Sequence, residues 1–201
     1  MCGLFGFIKK DITCDTDIVE LNYCAIESGK RGPHAFGIAI HSNSSTSVIV
    51  KEGLISSNID IVLKNSNANC MIGHTRLSTY GDIYQGQPIF NTVALAHNGN
   101  IYQYVNIYKL YPNYEKTTDI DSEVLLASYL AKGKDEVYKH IRDAKNPNVA
   151  MIMDNGSIHV FRNKNGHPLF VFEDDKIIYF SSIQVNKKYE LFNKGVFTYG
   201  Y

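Results

Sequence analysis

Apolar residues alternate between strand-like and helix-like spacing along the chain. Short apolar, aromatic and β-branched runs are typical of buried strands, and Asn155-Gly156 and Asp174-Asp175 are typical of hairpin turns. The predicted strands are residues 2–8, 37–42, 46–51, 70–76, 93–97, 149–154, 157–162, 169–173, 176–181 and 195–199. Strands therefore dominate both ends of the chain.

Helix-like spacing occupies much of the remaining sequence. It predicts helices over residues 15–30, around 59–64, over 118–131 and over 135–142. The third of these begins with Asp119, Asp121 and Glu123, and acidic residues stabilise the first turn of a helix through its dipole. Strands at both ends with helices between them predict an α+β fold with a mostly antiparallel sheet.

Composition and charge narrow the class of protein. With 201 residues and 44% hydrophobic positions, the chain predicts a single globular domain over 1–201. Twenty basic and twenty acidic residues cancel, so the charge balance gives no reason to expect nucleic-acid binding. No apolar run approaches the roughly 20 residues that span a membrane, and no export signal is evident, so we expect a cytosolic location.

The cysteines divide into two groups. Cys14, Cys24 and Cys70 show neither disulfide nor zinc spacing, and we predict that they are small buried residues. Cys2 differs because removal of Met1 would place a thiol and a free α-amine on one residue. An α-amine titrates near pH ~8 and can accept the thiol proton, although a second-position cysteine can equally be an ordinary strand residue.

Three further segments offer candidate site residues. Arg76 ends an apolar strand in a chain with only four arginines, and its guanidinium could grip a carboxylate or form a structural salt bridge. Asn98 and Gly99 could aim two N–H donors at one oxygen, or simply form a turn. One of the acidic residues Asp119, Asp121 and Glu123 could bind an ammonium group, or they could cap a helix. Together, the functional alternatives fit an amino acid with a side-chain amide.

Five ordered motifs resemble those of the class II glutamine amidotransferases, which are N-terminal nucleophile hydrolases. The resemblance covers essentially the whole chain and rests on these segments: Met1-Cys2-Gly3-Leu4-Phe5-Gly6, Arg31-Gly32-Pro33, Gly73-His74-Thr75-Arg76, His97-Asn98-Gly99 and Asp121-Ser122-Glu123. The family fold is a four-layer αββα sandwich of two mostly antiparallel sheets. Such domains precede the synthase domains of glucosamine-6-phosphate synthase, amidophosphoribosyltransferase, asparagine synthetase and glutamate synthase.

The resemblance also implies a role for each matching residue. Cys2 would attack the amide of L-glutamine and form a γ-glutamyl thioester, while Asn98 and Gly99 would form the oxyanion hole. Arg76 would bind the substrate carboxylate, Asp121 its ammonium group, and Thr79 would line the pocket. Neither a metal nor an organic cofactor is expected.

The sequence departs from the family pattern in three places. Tyr80 replaces a histidine that is usual in the glucosamine-6-phosphate synthase branch, and Pro33-His34-Ala35-Phe36-Gly37 replaces a more common loop. The chain also shows no acceptor domain, which leaves three possibilities: a separate ammonia-acceptor synthase subunit, a free-standing amidase, or a fragment of a longer protein. Two alternatives stay open: hydrolysis of another γ-glutamyl amide, and a non-catalytic glutamine-sensing subunit.

Overall fold

The computed structural model describes residues 1–78 and 85–200. A short 3-10 helix covers Ile55–Asn58. The remaining elements, in chain order, are β1 (Gly3–Lys9), α1 (Ile18–Gly29), β2 (Ala35–Ser42), β3 (Ser45–Glu52), α2 (Ile59–Lys64), β4 (Cys70–Arg76), β5 (Ile89–Phe90), β6 (Ala94–Asn98), α3 (Tyr104–Tyr108), α4 (Glu123–Lys132), α5 (Lys134–Asp143), β7 (Val149–Asp154), β8 (Ser157–Arg162), β9 (Phe170–Glu173), β10 (Ile177–Ser181), β11 (Glu190–Leu191) and β12 (Gly195–Tyr199).

The strands form two antiparallel sheets. The first sheet has seven strands in the order β11-β9-β10-β1-β4-β2-β3, and the second has five in the order β12-β8-β7-β6-β5. In the first sheet, Gly3 of β1 is paired with Thr75 of β4. In the second, Asn98 of β6 is paired with Val149 of β7. The start of β1 therefore lies beside the end of β4, and the end of β6 beside the start of β7.

Three apolar clusters hold the layers together. The two sheets bury one cluster between them, which includes Leu4, Ile72 and Ala96. The outer face of the first sheet packs through Phe5 and Phe7 against α1 and α2. The outer face of the second sheet packs against α3, α4 and α5. These layers confirm the predicted αββα sandwich and its α+β class.

The predicted elements agree with the structure except at particular ends. The helix predicted over 118–131 begins only at Glu123, because the backbone N–H groups of Thr117 and Thr118 donate to the Glu123 carboxylate at 2.7 Å. These residues wrap around an acidic side chain instead of forming a helical turn. Sequence analysis did not predict β5, α3, β11 or the 3-10 helix, which are all five residues or shorter.

Two of the cysteine predictions are confirmed outright. Cys24 and Cys70 are fully buried in apolar clusters, and burial raises the pKa of each thiol to about 12. Cys14 is only partly buried, against the cluster beneath α1. Among the described residues, no helix is both long and apolar enough to cross a membrane.

Candidate functional site

Four polar side chains share one end of the layer between the sheets. Side chains alternate across a strand, and Leu4, Ile72 and Ala96 all lie in the inter-sheet cluster. A residue two or four positions from one of these three along the same strand faces the same layer. This places Cys2 there through Leu4, His74 and Arg76 through Ile72, and Asn98 through Ala96. Because β6 packs against both β1 and β4, the sandwich brings three separate sequence motifs to one place.

Cys2 lies immediately before β1 and contacts the end of β4. Its Sγ is 3.6 Å from the Leu77 carbonyl oxygen. Burial raises the pKa of the thiol, while the positive charges of the amino terminus, Arg76 and Arg31 oppose that rise. The net effect is a raised pKa, so in this structure the thiol form is favoured and the three cations offset only part of the cost of burial.

Asn98 carries an unused hydrogen-bond donor. Its side chain is only 2% exposed, and its Nδ2 has no hydrogen-bond partner among the described residues. A buried donor without an acceptor costs about 1–3 kcal/mol, so such groups are rare in folded proteins. The donor lies in the same layer as Cys2, which suits it to an oxygen atom that arrives with a ligand.

Gly99 follows Asn98 in a conformation that other residues rarely adopt. Its φ is +152°, and a Cβ at this position would lie 2.1 Å from Oδ1 of Asn148. Only glycine fits this close approach. The chain bends at Gly99, directly after β6, where the sequence predicted a turn as one alternative.

Arg76 ends β4 and is 4% exposed. Its Nη2 is 3.5 Å from the Ser78 hydroxyl, and the Ser78 backbone N–H donates to Nδ1 of His34 at 3.0 Å. This hydrogen bond fixes the chain directly after Arg76. His34 stands where the sequence departs from the common family loop, and its contact agrees with a packing role. Thr79, predicted to line the pocket, and Tyr80 lie outside the described residues.

The three acidic residues at the start of α4 have different surroundings. Asp119 pairs with Lys116 at 3.0 Å on the surface, and the Glu123 carboxylate accepts hydrogen bonds from Thr117, Thr118 and Tyr114. Asp121 instead accepts from the backbone N–H of Ile101, just beyond the Asn98-Gly99 turn. Of the three, Asp121 is the carboxylate that bonds to the segment following Asn98 and Gly99.

Sequence analysis assigned no role to two buried histidines. His74 is fully buried, and its pKa is lowered to about 3 by burial and by the charges of Arg76 and His97. His97 bonds to the Ser122 hydroxyl at 2.7 Å and to Oδ1 of Asn148 at 2.9 Å. Both histidines belong to motifs identified in the sequence. Their different surroundings, charged groups beside His74 and hydrogen-bond partners beside His97, become visible only in the structure.

Two surface grooves of the described residues are lined by side chains other than Cys2, Arg76 and Asn98. One of about 620 Å³ is lined by residues that include Tyr111 and Leu130, and another of about 490 Å³ by residues that include Tyr102 and His140. The candidate site is therefore defined by its polar groups and not by the volume of a cavity.

The fold and these residues define a class of protein. Two antiparallel sheets between helical layers match the N-terminal nucleophile hydrolases of the glutamine amidotransferase type, and a cysteine precedes the first strand. A model of the glutamine amidotransferase domain matches residues 60–194. The chain belongs to this family, in its class II branch.

Individual relatives agree with this assignment. The chain is 27% identical over 181 residues to a glutamine–fructose-6-phosphate aminotransferase of Bacillus spizizenii, covering 85% of this chain and 28% of the relative. It is also 27% identical over 195 residues to an amidophosphoribosyltransferase of Pyrococcus horikoshii, covering 90% and 42%. The solved glutamine phosphoribosylpyrophosphate amidotransferase of Bacillus subtilis superposes with a TM-score of 0.79 at 21% identity, covering 99% of this chain and 49% of that one. The chain thus spans less than half the length of these relatives.

Proposed function

We propose that this protein hydrolyses the side-chain amide of L-glutamine with Cys2 as the nucleophile. The observation that carries the proposal is the buried Nδ2 of Asn98, which lacks a partner among the described residues and faces the same layer as the Cys2 thiol. A buried N–H group with no acceptor in the free protein can donate to an oxygen atom on which negative charge develops during a reaction. Family membership supports glutamine as the substrate.

Activation of Cys2 requires its own α-amine in this proposal. Met1 is 61% exposed, so the residue to be removed is accessible. After its removal, the α-amine of Cys2 would take the thiol proton directly or through one water. Arg31 and Arg76 stabilise the resulting thiolate electrostatically, since both already oppose the burial that raises the thiol pKa.

The substrate is oriented by its amino acid end. Arg76 binds the α-carboxylate through two parallel hydrogen bonds, and Asp121 binds the α-ammonium group. The family resemblance implies that Thr79 also belongs to the glutamine pocket. These contacts place the side-chain amide carbon next to Cys2 and select substrates with both a free carboxylate and a free ammonium group.

The reaction then proceeds through two acyl transfers. The thiolate attacks the amide carbon, and the oxygen becomes an anion held by Asn98 Nδ2 and the Gly99 N–H. The α-ammonium of Cys2 returns its proton to the nitrogen, ammonia leaves, and a γ-glutamyl thioester forms. Water activated by the same amine attacks the thioester and releases glutamate, which restores the thiol.

The fate of the ammonia extends the proposal beyond this chain. The relatives are more than twice as long as the matched region; both are named as transferases, and the name of one includes glutamine. We propose that ammonia passes to the acceptor site of a synthase, carried by a separate subunit or by a further part of a longer chain. The glutaminase step itself needs no metal or organic cofactor, and its cytosolic location stays a prediction from the sequence.

A matched pair of variants tests the nucleophile. Intact-mass spectrometry should show that purified protein lacks Met1, and glutamate should form from glutamine. Cys2→Ala should abolish this activity, whereas Cys14→Ala, which removes another partly buried thiol, should retain it. Activity in Cys2→Ala equal to wild type would contradict the proposal. A retained Met1 with no glutamate formed would instead favour the glutamine-sensing alternative.

Substrate comparison tests the amide. Glutamine should be hydrolysed faster than N-substituted γ-glutamyl amides, and simple acyl amides should not react because they lack the groups that Arg76 and Asp121 bind. Faster hydrolysis of a substituted γ-glutamyl amide would reassign the protein to the first alternative.

A further inference from the structure

Asn148 lies directly behind the Asn98-Gly99 turn. It precedes β7, and the pairing of Asn98 with Val149 continues to place Asn148 opposite Gly99. The Asn148 side chain is fully buried, and its Oδ1 abuts Gly99 so closely that no Cβ would fit there. The Asn148 side chain thus packs directly against the backbone at Gly99.

The same oxygen also holds the residue before the turn. Oδ1 of Asn148 is 2.9 Å from Nε2 of His97, while Nδ2 of Asn148 donates to the Asn146 carbonyl at 2.9 Å. Because the amide nitrogen faces a carbonyl, its oxygen must face His97. His97 therefore carries its proton on Nε2 and accepts from the Ser122 hydroxyl through Nδ1 at 2.7 Å.

Asn148 is in turn held by its neighbours. Its backbone N–H donates to Oδ1 of Asn163 at 3.1 Å, and Asn163 also donates to the Asn146 carbonyl at 2.9 Å. Asn146 reaches the far side of the turn, where its Nδ2 donates to the Asn100 carbonyl at 2.7 Å. The turn is thus braced at His97, Gly99 and Asn100 by one short segment.

We propose that Asn148 is a positioning residue that aims the Asn98 and Gly99 donors at the reacting oxygen. The inference rests on the proposed glutaminase function. The donors act only in the tetrahedral state, so their aim affects kcat more than the binding of glutamine. A displacement of about 1 Å in such a site can cost ~10²-fold in rate.

Steady-state kinetics of Asn148→Ala provides the test. Glutamate release should show a kcat at least about tenfold below wild type, with KM within about twofold. The matched control is Tyr129→Phe, which removes a 2.8 Å hydrogen bond to Asp154 at the opposite end of β7. Both variants should lose thermal stability, but the control should keep wild-type kcat.

The outcomes separate this inference from the proposed function. A kcat for Asn148→Ala within threefold of wild type, or an equal loss in Tyr129→Phe, would overturn the positioning role while leaving the glutaminase intact. If Asn148→Ala does not fold, the same criteria apply to Asn148→Ser, which retains a hydroxyl. Wild-type protein that forms no glutamate would overturn the proposed function itself.

Discussion

Replacing Asn98 by leucine should separate stability from activity. Leucine has nearly the same shape as asparagine but no donor, so the change removes a buried N–H group that has no acceptor among the described residues. Such a group costs about 1–3 kcal/mol in the free protein. For a domain of this size, 1 kcal/mol corresponds to about 2–4 °C in Tm, so Asn98→Leu should raise Tm by about 2–12 °C.

The same substitution should severely damage catalysis. Loss of one oxyanion donor typically lowers kcat by ~10²–10³. Binding of glutamine through Arg76 and Asp121 does not involve this donor, so KM should stay within a few-fold of wild type. Glutamate release measured across a range of glutamine concentrations separates the two parameters.

A second asparagine provides the control for the stability measurement. Asn163 is also buried, but its amide is fully engaged with Asn148, Ala144 and Asn146. Asn163→Leu should therefore lower Tm, opposite in sign to Asn98→Leu. A fall in Tm for Asn98→Leu as large as that for Asn163→Leu, or a kcat within threefold of wild type, would refute the reasoning.

Three other predictions concern charge. Arg76→Lys should raise KM for glutamine about tenfold with a smaller effect on kcat, because lysine cannot form the paired hydrogen bonds; an unchanged KM would make Arg76 structural. Burial alone would raise the pKa of Glu123, but hydrogen bonds from Thr117 and Thr118 hold it below its ordinary value. Glu123→Gln should therefore cost about 2–4 kcal/mol in urea unfolding at pH 7, and the difference should shrink in acid as wild-type Glu123 takes up its proton. His74 has a folded pKa of about 3, so between pH 6.5 and 3 only the unfolded state gains a proton there. The free energy of unfolding should fall by up to about 2 kcal/mol between pH 7 and pH 5, and His74→Gln should remove that share; a variant with the full wild-type pH dependence would contradict this.

Much of the fold follows from the sequence because its long strands have a clear apolar pattern. The bounds of β4, β7 and β8 agree with the predicted strands residue for residue. Elements of two to five residues, such as β5 and α3, contain too few positions to show a period. The start of α4 was misplaced because an acidic residue can bind threonine N–H groups before the helix as readily as it stabilises the first turn.

The candidate site was predictable in its parts but not in its connections. Cys2, Arg76, Asn98 and Asp121 stand in recognisable motifs, and the sandwich places the first three in one layer. The sequence does not predict a role for Asn148, because that role depends on its contact with Gly99, just after the neighbouring strand. The lack of an acceptor for the Asn98 donor among the described residues likewise emerges only from packing.

Trapping the acyl intermediate tests the central proposal most directly. Protein mixed with glutamine and quenched in acid within a turnover should carry a γ-glutamyl group on a peptide that begins at Cys2 and lacks Met1, as seen by mass spectrometry. The adduct should disappear in Cys2→Ala and accumulate at the rate of ammonia release. Steady glutamate formation with no adduct on Cys2, together with unchanged activity in Cys2→Ala, would contradict the account.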